Sequence, residues 1–351
     1  WGGLANAFRN QQTGAVKEGW EGRVKEIEDL LSGEELAQAR NSTQNAHYTS
    51  KVVVDAMWQA AKQLGFSGGM ALEPSAGAGN FLGLIPEDLK GKTRFIAIEK
   101  DSLTARIAKL LYPQESVFHA GFEKVPLPAN AFDLAIGNPP FGDVSLFFQH
   151  KPGLRGVSIH NQFFRASMDS VKPGGLQIMV VSRYLMDAQD DSTRVELAKQ
   201  ADLVGAFRLP GTAFSENART QVVTDILFLK KRTPAEIAEM SKAFEERNVT
   251  KKGLSNAEQE ARDRRAKLIP TWTETTEIPD PLGGEKMRVN MYFATRPMHV
   301  LGTMDRSGTM RQNDIGVTYN DDLATDLPLR IEKLLPHYAA PADEAVQQCL
   351  D

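Results

Sequence analysis

Between Ser50 and Leu229, short apolar runs alternate with stretches of helical spacing, and this alternation excludes all-helical and all-strand folds. The strand candidates are Met70–Glu73, Arg94–Glu99, Ser116–His119, Phe132–Ile136, Leu176–Ser182, Leu203–Phe207 and Gln221–Leu229. The spacing of Val53, Ala56, Met57, Ala60 and Leu64 predicts a helix with one buried face from Ser50 to Leu64, with Ser50 as its cap. Further helices are expected after Gly79, over Ser102–Leu111, over Ile159–Met168, and closing at Leu197–Ala201. Lys172-Pro173-Gly174-Gly175 reads as a turn. Strands separated by helices imply a mostly parallel sheet covered on both faces, an α/β domain of three layers spanning residues 46–230.

The flanks carry weaker patterns. Residues 1–45 read as an N-terminal helical arm, residues 231–270 as a charged helical insertion interrupted near Gly253, and residues 271–351 as a C-terminal extension that is a candidate for substrate contact. A net charge of −4 with 41% hydrophobic and 25% charged residues is an ordinary globular composition, so contact with a polyanion would need a local basic surface. The single cysteine, Cys349, permits no internal disulfide, and the six scattered histidines suggest no structural metal. No apolar stretch approaches the ~20 residues of a membrane span, so no membrane association and a cytoplasmic location are expected. The start at Trp1 rather than Met is read as a processed chain or a piece of a longer polypeptide.

Two loops carry chemistry. Glu73-Pro74-Ser75-Ala76-Gly77-Ala78-Gly79-Asn80-Phe81 joins a strand to a helix through small residues, which lets the backbone approach a ligand. The next strand ends in Glu99, about twenty residues further on, where a carboxylate can accept both hydroxyls of a ribose. An ordinary strand-end carboxylate is the plainer alternative. The absence of Gly-Lys-Ser/Thr argues against a P-loop and the missing third glycine against a dinucleotide site, which leaves a nucleoside cofactor without a polyphosphate.

The second loop, Asn138-Pro139-Pro140-Phe141, follows an apolar strand and so falls at the carboxyl edge of the same sheet. Consecutive prolines make a stiff turn without N–H donors. The Asn138 amide and the Pro139 carbonyl can receive the two N–H bonds of an exocyclic amine, and Phe141 can stack on the ring that bears it.

These residues resemble the class I S-adenosylmethionine-dependent methyltransferases, specifically the DNA adenine-N6 branch with its Asn-Pro-Pro-aromatic motif. The resemblance covers residues 46–230 and implies a Rossmann-like, mostly parallel seven-stranded sheet with helices on both faces. It implies S-adenosylmethionine as cofactor, with Tyr48, Thr49, Glu73, Ser75, Gly77, Gly79, Phe81, Glu99 and Phe122 around it, and Asn138, Pro139, Pro140 and Phe141 as the catalytic motif. Two departures stand out: Gly121-Phe122-Glu123 replaces the usual Asp-Phe/Leu beside the cofactor adenine, and Ser50 replaces the usual Pro after Tyr48-Thr49. Gly205–Phe214, Asn217–Phe228 and Tyr292–Gly302 look like the methylase domain of large phage and mobile-element methylase-helicase proteins. The expected partner is DNA, with a helicase or recognition domain of a longer parent polypeptide as a further candidate.

Lys151, Arg155, Arg183, Tyr184, Arg208 and Arg219 are candidates for contact with phosphates or the target base, each weighed against a plain surface or packing role. Phe147 and Phe148 are expected to pack the loop after Phe141. Alternatives are methylation of RNA adenine, cytosine N4 or protein glutamine, or a catalytically silent nucleic-acid-binding subunit of a restriction or antirestriction assembly.

Overall fold

The computed structural model describes residues 10, 13–36, 49–142, 144–214, 222–247, 255–308 and 314–338. Seven strands form one sheet: β1 (Gly69–Glu73), β2 (Thr93–Glu99), β3 (Ser116–His119), β4 (Phe132–Gly137), β5 (Val171–Ser182), β6 (Ala201–Leu209) and β7 (Thr224–Lys231). Their order is β3-β2-β1-β4-β5-β7-β6, and β7 alone runs against the others. This is the mostly parallel, Rossmann-like architecture expected. The chain moves outward from β1 through β2 to β3 and then returns to the other side of β1 with β4. Loops leaving β1 and β4 therefore diverge and leave a crevice at their carboxyl ends.

Helices α1 (Glu21–Leu30), α2 (Lys51–Gln63), α3 (Asn80–Gly83), α4 (Ser102–Leu111), α5 (Ile159–Ser170), α6 (Arg183–Asp187) and α7 (Ser192–Gln200) precede or alternate with the strands. The period of two along the central strands divides the core between the faces. Leu134, Ile136, Leu176, Ile178 and Val180 pack with Val53, Met57 and Trp58 of α2, whereas Ala135, Met179 and Val181 pack with Phe163, Phe164 and Met168 of α5. Trp58 also donates from Nε1 to the Phe81 carbonyl at 3.1 Å, anchoring the end of the small-residue loop to α2.

After β7 come α8 (Pro234–Arg247) and α9 (Asn256–Ala266), joined across their faces by the Arg265–Glu246 ion pair. Two hairpins follow, β8 (Thr275–Ile278) with β9 (Met287–Asn290), and β10 (Thr303–Gly308) with β11 (Asp314–Thr318), separated by α10 (Met291–Thr295). The final helix α11 (Leu323–Leu334) lies on α2, where Gln63 Nε2 donates to the carbonyls of Ile331 and Leu335. Gly205 on β6 makes room for this tail, because a Cβ there would lie 2.0 Å from Leu335 Cδ2. None of the described helices is long and apolar enough to cross a membrane.

Three local expectations change. The Lys172-Pro173-Gly174-Gly175 turn is an irregular opening of β5: Phe132 pairs with Val171 but Leu134 with Leu176, and Gly174 takes up the slack at φ +79°. The helix after Gly79 is a single turn, α3, so it offers no long dipole to a ligand. Ser50 stands at the N-cap of α2 without its side chain accepting a helix N–H.

Arg208 requires a larger correction. The expectation of contact with phosphate or base fails because its guanidinium is fully buried, donating to Asp225 Oδ1 at 2.8 Å and to Asp187 Oδ1 at 2.9 Å. Burial works against its charge, but the carboxylates of Asp187 and Asp225 outweigh that and hold its pKa above the usual value. Asp187 Oδ1 also accepts from the Asn290 N–H at 2.9 Å, so the cluster fastens the C-terminal hairpins to the sheet. Removing the cation leaves two buried carboxylates without their main partner. Arg208→Ala should thus cost about 3–5 kcal/mol of stability, measured as a lower urea midpoint at neutral pH.

Candidate active site at the crevice between β1 and β4

A cavity of about 420 Å³ opens where the loops after β1, β2 and β4 meet, within the ~300–1,000 Å³ range of small-molecule sites. Of the residues singled out in the sequence, Thr49, Glu73, Ser75, Gly77, Phe81, Glu99, Phe122, Asn138 and Pro140 line it. Tyr48 and Arg219 lie outside the described residues. The two chemistry-bearing loops are tied together, since Ser75 Oγ donates to the Asn138 carbonyl at 3.1 Å.

The loop after β1 is shaped by its glycines and by Glu99. Gly77 and Gly79 hold φ values of +55° and +87°, in the left-handed region that side chains disfavour. Gly79 does not line the cavity; Tyr112 packs behind it, and a Cβ at this position would lie 2.4 Å from Tyr112 Cε2. Its part is to let the loop close against α4. Glu99 Oε2 accepts from the Gly77 N–H at 2.8 Å and Oε1 from the Asp101 N–H at 2.7 Å. The carboxylate thus braces the loop while its remaining lone pairs stay available to a ligand hydroxyl.

Two acids meet here, Glu73 buried and Glu99 half-buried. Burial, reinforced by the neighbouring Glu99 charge, pushes the Glu73 carboxyl well above the usual carboxylate range. Burial also raises Glu99, although the N–H groups of Asp101 and Gly77 pull the other way. Glu73 Oε2 is buried and has no hydrogen-bond donor among the described residues, which suits a ligand that brings a positive charge or an N–H.

The opposite wall is apolar. Phe122 and Phe163 pack at 4.7 Å between ring centroids, and Ile98, Leu146 and Ile159 complete a surface fitted to a flat ring. The Glu123 carboxylate folds against Gly121, where a Cβ would lie 2.4 Å from its Oε1, so an acid reaches the cavity two residues beyond the position that Gly121 leaves bare. Sequence reading passed over Glu123, Asp101, Asn80 and Phe163. The first three follow directly from the strand-end and loop positions already marked, whereas Phe163 is visible only once α5 is placed against β4.

In the Asn138-Pro139-Pro140-Phe141 motif, Asn138 and Pro140 face the cavity, Pro139 is buried, and Phe141 packs half-buried on the core beside His160, with ring centroids 6.4 Å apart. Gln162 on α5 fixes the following loop. Its Oε1 accepts from the Leu146 N–H at 2.7 Å, and its Nε2 donates to the carbonyls of Leu146 and Leu154 at 2.8 Å each.

The remaining cations differ in what they meet. Lys151 pairs with Asp169 at 2.6 Å. Arg183 is buried between Asp187 and Asp314, so it is occupied with protein carboxylates rather than available to a ligand. The Tyr184 hydroxyl donates to Asp314 at 3.1 Å. Arg155 lies over the ring of Phe147 and has no carboxylate partner among the described residues. Phe148 packs as expected, but Phe147 is 65% exposed.

No family model matches the chain. It is similar to the "Defense against restriction protein B" of Escherichia phage P1, 34% identical over 197 residues that make up 55% of this chain and 8% of that protein. The matched segment thus covers less than a tenth of that relative's length. Among solved structures, it resembles the methyltransferase subunit of a type I restriction-modification system from Streptococcus thermophilus at 16% identity and a TM-score of 0.45, covering 64% of this chain and 59% of that one. The type I restriction enzyme EcoKI M protein gives 15% identity and a TM-score of 0.44, covering 88% of this chain and 73% of that one. At these scores the structural likeness carries no functional weight.

The buried acids make stability depend on pH. Because the folded-state pKa of Glu73 is raised, the folded chain binds more protons than the unfolded chain above the ordinary carboxylate value, and stability falls as pH rises through that window. Glu73→Gln removes this loss. Melting temperatures compared across the acid-to-neutral range should show the variant gaining on the wild type as pH increases, with the difference levelling once the wild-type Glu73 is ionised.

Proposed function

We propose that this chain transfers the methyl group of S-adenosylmethionine to the exocyclic N6 amine of adenine in DNA. The observation that carries the reading is the meeting of two independent motifs at one cavity: the glycine loop braced by Glu99, and the motif at the end of β4, which brings Asn138 and Pro140 to the lining. The cavity residues fit the cofactor. Glu99 offers lone pairs to ribose hydroxyls, Phe122 and Phe163 offer an apolar wall to a purine ring, and the buried Oε2 of Glu73 offers an acceptor to a cationic amino-acid portion. When bound, S-adenosylmethionine supplies an electrophilic methyl on a sulfonium.

The target amine is a poor nucleophile because its lone pair is delocalised into the purine ring. Asn138 Oδ1 and the Pro139 carbonyl accept its two N–H bonds, favouring a more tetrahedral nitrogen whose lone pair faces the methyl. As positive charge builds on the nitrogen, these acceptors would stay hydrogen-bonded to its N–H groups, and the nitrogen would then release one proton to water. Phe141 supplies a face for the extruded base, whose removal from the stack costs a few kcal/mol. The phage P1 relative's name supports placing this modification in defence against restriction.

The test incubates the full chain with methyl-labelled S-adenosylmethionine and unmethylated DNA, then digests the product to nucleosides. Label in N6-methyldeoxyadenosine is expected, and Asn138→Ala should reduce its rate by about 10²–10³-fold, the range for removing one positioned polar group, with cofactor binding retained by calorimetry. Label in cytosine, RNA or a protein glutamine, or no label from a chain that binds the cofactor, would overturn the reading.

A further inference from the structure

Phe147 is an exposed aromatic whose backbone is held in place. Its neighbour Leu146 lines the cavity and bonds to the buried Gln162 through both backbone groups, while Gln162 also holds Leu154. The two ends of the loop are thereby fixed, and Arg155, next to Leu154, places its guanidinium 5.6 Å from the centre of the Phe147 ring. The ring remains 65% exposed, and the cation over it has no carboxylate partner among the described residues. Lys151 and Arg183 are committed to protein acids, and Arg208 is fully buried. This combination of a flat open ring and an adjacent planar cation, one residue from the cavity wall, matches the chemistry of a nucleobase followed by its phosphate.

We propose that Phe147 and Arg155 form a stacking platform that receives an unpaired nucleobase next to the target base and holds the phosphate beside it. The inference rests on the reading of this chain as a nucleic-acid methylase and adds where the strand is gripped. Stacking tolerates any base, so the platform fixes strand position without reading sequence. It also receives a base left without its neighbour when the target leaves the stack.

The experiment measures binding of the full chain to a fluorescent single-stranded oligodeoxynucleotide and to an abasic strand of equal length and charge, by anisotropy at fixed salt. Phe147→Ala should weaken binding of the base-bearing strand about tenfold, within the range for one base–aromatic stack, and leave the abasic strand unaffected. Phe147→Leu should bind as weakly as the alanine variant, since it keeps apolar bulk but loses the plane. Phe147→Trp should retain affinity, with tryptophan fluorescence quenched by the base-bearing strand beyond any change in the wild type. Cofactor binding by calorimetry reports the integrity of each variant. Equal affinities of wild type and Phe147→Ala, or equal losses on both strands, overturn the platform while a methylating wild type keeps the proposed function standing. A wild type that binds neither strand overturns the platform, and the labelling test decides the proposed function independently.

Discussion

The position of β1 governs the molecule. With β2 on one side and β4 on the other, the chain leaves the carboxyl ends of β1 and β4 in opposite directions and opens a gap between them. The cavity follows from this topology before any side chain is considered. Side chains then decide its chemistry: the register that sets Glu73 opposite Ala97 ends β1 and β2 at nearly the same level, so that Glu73 and Glu99 both border it.

Buried charge serves two different ends on the same sheet edge. Around Arg208 the charges are of opposite sign, with two carboxylates on one guanidinium, and the result is attachment of the C-terminal hairpins. At the cavity the charges are alike. Glu99 is partly compensated by two backbone N–H groups, whereas Glu73 Oε2 receives no such donor from the described residues. An uncompensated acid is unfavourable in the empty cavity and becomes favourable when a ligand brings positive charge, which turns a cost in folding into discrimination in binding.

The sheet was legible because its strands are β-branched or apolar runs bounded by turns: all seven candidates form strands, and Ser102–Leu111 and Ser116–His119 agree to the residue. The cavity was legible wherever a motif residue follows a strand directly, as with Glu73, Glu99 and Asn138. Cations were harder. Arg183 and Arg208 also lie near strand ends at the carboxyl edge. Arg183–Asp187 is an i,i+4 pair, but Asp314 on Arg183 and Asp187 and Asp225 on Arg208 come from separate segments, and nothing in local sequence reveals those pairings. Phe147 and Phe148 present the converse case. They are adjacent and chemically identical, yet Phe147 is exposed while Phe148 packs edge-on against Phe122, a contact that local sequence does not reveal.

The loop after Phe141 is held to the core by the Gln162 amide. Gln162 is fully buried on α5, beside Phe163 and Phe164, which pack against the sheet. Its hydrogen bonds therefore transmit the position of α5 to Leu146, and from there to the cavity wall. A hydrophobic contact alone would tolerate sliding of the loop along the helix, whereas an amide satisfied at both its oxygen and its nitrogen fixes register as well as distance. The Leu146 part of the wall is consequently as well defined as the packing of α5 on the sheet, although its own segment has no regular secondary structure. The space between that wall and the two acids is set by the core before any ligand enters.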